Sequence, residues 1–77
     1  MDLRTMSQMV AIAEHGHMTR AAQEIGQTQP ALSAALRKLE AEIETELFHR
    51  TGHGVELTDA GKVFIEHAKL TLRASAT

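Results

Sequence analysis

Residues 18–38 read MTRAAQEIGQTQPALSAALRK, and this stretch decides the fold. Thr19 is a candidate helix cap, opening a short helix from Arg20 to Ile25 whose apolar positions are Ala21, Ala22 and Ile25. Gly26 supplies the left-handed residue that ends such a helix. Thr28 then caps a second helix, with Pro30 in its first turn, where a missing N–H costs nothing. Leu32, Leu36, Leu39, Ile43 and Leu47 recur at steps of three and four, so one face of this helix is buried. Pro30, Ser33, Ala34 and Arg37 fall on the opposite, exposed face. Two helices joined by a tight Gly-containing turn make a helix-turn-helix, running from about Met18 to Lys38.

Outward from this motif the pattern stays helical on the N-terminal side. Asp2 caps a first helix with Leu3, Met6, Met9, Val10 and Ala13 as its apolar stripe, and Gly16 ends it. The methionines are core filler. On the C-terminal side the period changes. Phe48–Thr51 and Val55–Leu57 are short and suit extended structure around a Gly52-His53-Gly54 tip. Thr58 and Asp59 start a last helix with a stripe of Ala60, Val63, Phe64, Ala68 and Leu72, running to Thr77 without a stop signal. The expected fold class is mainly α: three helices and a short β-hairpin wing, a winged helix-turn-helix, followed by a long linker helix. Residues 1–58 are expected to form the winged domain and residues 59–77 a linker helix, cut before a further domain.

The 77 residues make one domain at most, with a modest core that a partner subunit would help to stabilise. There is no cysteine, so no disulfide framework and no thiolate metal site. No apolar run approaches the roughly 20 residues of a membrane span. The N-terminus lacks the basic-then-apolar pattern of a secretory signal, which makes the cytoplasm the expected compartment. Formal net charge is -2. Its distribution matters more than its sum. No acid lies between Glu24 and Glu40, a gap that holds Arg37 and Lys38 with Arg20 just before it, whereas Glu40, Glu42, Glu44 and Glu46 crowd together afterwards. A helix face without acids invites a polyanionic partner. A helix is about 10–12 Å across and fits the major groove of DNA, and its N-terminal end offers free N–H groups and a positive dipole to phosphates.

Several runs together carry a family resemblance. Thr19-Arg20-Ala21-Ala22, Thr28-Gln29-Pro30-Ala31-Leu32-Ser33 and Leu39-Glu40 resemble the N-terminal domain of LysR-type transcriptional regulators. Glu46-Leu47-Phe48-His49-Arg50 and Leu57-Thr58-Asp59-Ala60-Gly61 resemble that family's wing and the start of its linker helix. The resemblance implies sequence-specific binding of double-stranded promoter DNA in transcription control. It implies a homodimer formed by antiparallel linker helices, tetramers in longer chains, and a C-terminal domain for a small-molecule effector that this chain lacks. A bacterial cytoplasmic, nucleoid-associated setting follows from it. Two positions depart from the family pattern: Ala34 stands where an arginine is frequent, and His53 stands at the wing tip where a basic residue is common. Each lost phosphate contact flattens the salt dependence of binding.

Within that frame the amide of Gln29 suits bidentate pairing with adenine. Pro30 either touches a thymine methyl or only starts the helix. Ser33 is expected to donate to a base or a phosphate. Expected backbone contacts are Arg20, Thr28 (first a cap), Arg37 and, on the wing, Arg50 and His53. Protonation of His53 is expected to strengthen phosphate binding as pH falls; a His53→Ala variant keeping the parent pH dependence between about pH 8 and 6 would refute this. The dimer interface is expected at Val63, Phe64, His67, Ala68 and Leu72; Val63 and Phe64 also suit the domain's own core, but so long a helix cannot be covered by so small a body, which favours the dimer contact. Of the five histidines only His49 and His53 are four apart, and they lie in the wing and not on a helix, so no metal site is expected. No nucleophile, base and orienting acid converge, and Thr51-Gly52-His53-Gly54 lacks the Gly-Lys-Ser/Thr of a phosphate loop, so an enzyme is not expected. The competing reading is a winged-helix module for protein–protein contact, which the net charge favours and the acid-free face opposes.

Overall fold

The computed structural model describes residues 1–75. In chain order it contains α1 (Leu3–His15), α2 (Met18–Glu24), α3 (Gln29–Ile43), β1 (Phe48–Thr51), β2 (Gly54–Leu57) and α4 (Asp59–Ser75). This is the winged helix-turn-helix with a long last helix read from the sequence.

Local capping sets most boundaries. The Asp2 carboxylate accepts from the Thr5 N–H at 2.8 Å and opens α1. Gly16, at φ 69°, closes it by donating its N–H to Ile12 O at 2.9 Å. Thr28 Oγ1 accepts from Ala31 N–H at 3.2 Å and opens α3. Thr58 Oγ1 accepts from Gly61 N–H at 3.0 Å and opens α4, where Asp59 in the first turn and Arg73 in the last complement the helix dipole.

The ends of α2 differ from expectation. The helix begins at Met18, not Arg20, and its N-cap is His17, whose side chain makes no cap bond; Thr19 lies inside the first turn. Met18 is drawn into the helix because its side chain enters the core, at 5% exposure. After Ile25, Gly26 takes φ 69° and Gln27 donates its N–H to Ala22 O at 2.8 Å, which turns the chain toward α3. α3 ends at Ile43, so Leu47 belongs to the following loop and not to the helix, although it is buried as expected. Leu3 and Ile43, read as stripe positions, are exposed at the outer ends of their helices.

Met9, Ile12, Leu32 and Leu47 form the centre of the core, joined by Ala21, Ala22, Leu39, Phe48, Val55, Ile65 and Ala68. The inward stripe of α4 is Gly61, Ile65, Ala68 and half-buried Leu72, rotated from the expected one: Ala60 and Val63 face solvent and Ile65 faces the core. The rotation is set by Gly61, where a Cβ would stand 2.0 Å from Leu47 O, so α4 can cross the chain this closely only there. Thr58 tightens the same crossing, its N–H donating to Leu47 O at 3.0 Å and its hydroxyl to Glu46 O at 2.7 Å. The first turns of α4 thus share the core with α1, so residue 59 marks a change of element and not an edge of packing.

β1 and β2 pair antiparallel with Thr51 opposite Gly54, so Gly52 and His53 alone form the loop. Val55 donates its N–H to Gly16 O at 2.9 Å, fastening the hairpin to the α1–α2 corner. Gly54 sits at φ 143° there, and a Cβ on it would meet Gly16 O at 2.1 Å and His17 Nδ1 at 2.8 Å.

Candidate nucleic-acid interface

The N-terminal half of α3 projects from the body beside the wing. Pro30, Ala31, Ala34, Arg37 and Lys38 are exposed, while Leu32 and Leu39 point into the core. The capped N-terminus places the positive end of the helix dipole at Gln29 and Pro30. The acids Glu40, Glu42 and Glu44 occupy the far end of α3 and its cap. The exposed first turns of α3 thus carry no charge, Arg37 and Lys38 stand near its middle, and Glu42 and Glu44 lie at its far end, while Glu40 lines the same cleft as Arg37.

Ser33 departs from the exposed position expected for it. It is only 7% exposed, and its Oγ accepts from Gln29 Nε2 at 2.6 Å. Met18 of α2 and Phe48 of β1 line the same cleft as Ser33. Arg37, His49 and Arg50 line the outer part of that cleft. The structure thus brings Ser33, Arg37 and Arg50 together around one concavity, which Glu40 also lines, and Gln29 joins it through its bond to Ser33. Arg20 and His53 are exposed on α2 and the wing tip. His53 is held by its backbone, with its N–H donating to Thr51 Oγ1 at 3.1 Å. Ala34, a methyl side chain, stands exposed at the middle of the α3 face.

Three further residues had no role assigned to them from the sequence. Glu40 Oε2 accepts from the N–H groups of Leu47 at 2.6 Å and Phe48 at 3.3 Å, tying α3 to the start of the wing. Gln8 of α1, 8% exposed, donates through Nε2 to Gln27 Oε1 at 3.0 Å and holds the turn of the helix-turn-helix against α1. Both contacts join residues far apart in space-setting elements, and no local pattern announces them. His49 is exposed on β1 opposite Glu56; strand alternation after buried Phe48 is the signal that marks it.

The residues expected at a dimer interface separate. Val63 is 57% exposed and His67 is exposed, while Phe64 and Leu72 are half-buried. Ala68 is turned into this chain's own core at 4% exposure, because its position on α4 faces α1. Leu70, at 51% exposure, is the additional outward apolar residue. No helix among the described residues is long and apolar enough to cross a membrane.

With this geometry in view, the chain resembles several characterised proteins. It is 48% identical over 68 residues to the HTH-type transcriptional regulator BudR of Klebsiella aerogenes, covering 88% of this chain and 48% of that protein. It is 40% identical over 72 residues to the regulator AlsR of Bacillus subtilis, covering 94% of this chain and 24% of that protein. The chain therefore spans about half the length of the first relative and about a quarter of the second. Among solved structures, the CbnR_DBD–DNA complex superposes with a TM-score of 0.92 at 34% identity, over 99% of this chain and 87% of that one. The BenM_DBD/benA site 1 DNA complex does so with a TM-score of 0.94 at 32% identity, over 99% of this chain and 85% of that one. Residues 3–62 match the model for bacterial regulatory helix-turn-helix proteins of the lysR family. On the motif, the fold and these relatives together, the chain belongs to the lysR family.

Proposed function

We propose that this chain is the sequence-specific DNA-binding part of a transcription regulator. The carrying observation is the exposed, acid-free face at the capped start of α3, set beside the wing. In this reading α3 enters the major groove. Gln29 and Pro30 meet base edges there. Arg20, Thr28 and Arg37 hold phosphates, and Arg50 and His53 on the wing touch the backbone or the adjoining minor groove. The exposed Val63, His67 and Leu70 of α4, with the uncovered parts of half-buried Phe64 and Leu72, pair with a second copy, so that two half-sites are read at once. In a longer regulator built like the relatives, further residues would carry a small-molecule effector domain and permit tetramers.

Selection from a random duplex pool, followed by affinity measurement across a salt series, tests this. Binding should be confined to related sequences and should weaken with a slope of about -0.9 in log K per phosphate neutralised. Arg37→Ala should flatten that slope by about 1 while leaving base preference unchanged. Failure to select any sequence, with affinity insensitive to salt, would instead support the protein-contact module that the net charge of -2 favours.

A further inference from the structure

We propose that Ser33 acts as a positioning residue, fixing the Gln29 amide so that its free edge is aligned for a base before DNA arrives. The inference rests on the reading of Gln29 as a base contact. Its own observations are the 2.6 Å bond from Gln29 Nε2 to Ser33 Oγ and the 7% exposure of Ser33. A side-chain amide has two donor hydrogens and one carbonyl acceptor. The bond to Ser33 engages one hydrogen. The second hydrogen and Oε1 remain, which is the donor–acceptor pair that adenine takes through N7 and N6. Ser33 shares its cleft with Met18 and Phe48 and is buried there, on a regular turn of α3 that fixes its backbone. It sits below the contact surface as a support.

Without that bond, Gln29 has three side-chain torsions to order on binding. Immobilising such a side chain weakens affinity by roughly 2- to 12-fold. The bond also opposes a flip of the amide, and a flipped amide would present an acceptor where adenine requires a donor. Ser33 therefore acts on discrimination as well as on affinity, and only through Gln29.

The test uses the whole chain and a duplex that it selects from a random pool. Each A·T pair of a half-site is exchanged for G·C in turn, and affinities are measured by fluorescence anisotropy for the parent, Gln29→Ala, Ser33→Ala and the double variant. The parent should discriminate at one adenine by roughly 5- to 150-fold, and Gln29→Ala should abolish this. Ser33→Ala should lose most of the same discrimination, and should add nothing in the Gln29→Ala background. Alanine favours the helix, so this variant keeps the fold. The Gln29 side-chain amide protons supply a readout without DNA: their NMR shifts should move to solvent-exposed values in Ser33→Ala. If Gln29→Ala keeps full discrimination, the base-contact reading and this inference both fail. If Gln29→Ala loses it but Ser33→Ala does not, only the inference fails. Additive losses in the double variant would make Ser33 an independent contact and also overturn it.

Discussion

Glu40 places one carboxylate oxygen between two backbone N–H groups, those of Leu47 and Phe48. Removing an acceptor from partly buried donors costs about 1–3 kcal/mol. Glu40→Ala should lose stability of that order in urea denaturation, and Glu40→Gln less, because its amide oxygen still accepts. Asp2 gives a second test at this scale. The Thr5 backbone N–H and then the Thr5 hydroxyl hold its carboxyl below the ordinary 3.8. A depressed folded-state pKa means stabilisation present above the unfolded value and lost as pH falls through the folded one. Asp2→Ala should therefore melt below the parent at neutral pH, with the gap closing on acidification through the folded-state pKa. Single residues were legible in the sequence where their bonds are local. Asp2, Thr28 and Thr58 cap at i to i+3 and announce themselves as short polar residues before apolar periodicity. Glu40, Gln8 and the burial of Ser33 depend on elements that meet only after folding. A helical projection assigns Ser33 to the open side because it knows nothing of the elements that pack beside α3.

α3 ends on Glu44, a non-glycine residue at φ 53° and ψ 41°. The left-handed conformation costs such a residue roughly 1–2 kcal/mol, and a carboxylate at a helix C-terminus opposes the dipole as well. Glu44→Gly relieves both and costs some unfolded-state entropy in return. We expect a net gain near 1 kcal/mol, read as a higher urea midpoint at unchanged slope. The order and type of all six elements were legible, since each has its own period, but the end of α3 was not, because no glycine or proline marks it and the apolar steps read on to Leu47. Nor was the phase of α4. Its apolar residues Val63, Phe64, Ile65, Ala68, Leu70 and Leu72 are abundant enough to fit more than one stripe. The close approach of Gly61 to Leu47 O selects among them.

At the scale of the whole molecule, Val63 and Leu70 are seven residues apart on α4 and mostly exposed. A pair of glutamates there, Val63→Glu with Leu70→Glu, should leave the melting temperature of the separated chain nearly unchanged and shift sedimentation to the monomer. Affinity for a two-half-site duplex should then fall toward that for a single half-site. Cutting the chain at Asp59 would be a poorer test, since Gly61, Ile65 and Ala68 would leave the core with it.

The bond from Val55 N–H to Gly16 O locks the hairpin to the corner from which α2 departs. With Glu40 of α3 tied to Leu47 and Phe48 at the start of the same hairpin, α3 and the wing are jaws of a caliper set to one opening. A caliper of fixed opening does not adjust to the duplex; the duplex must adjust to it, at an elastic cost that varies with sequence. Base pairs beneath the wing, touched by no side chain, should consequently be selected for how readily their groove takes the required width.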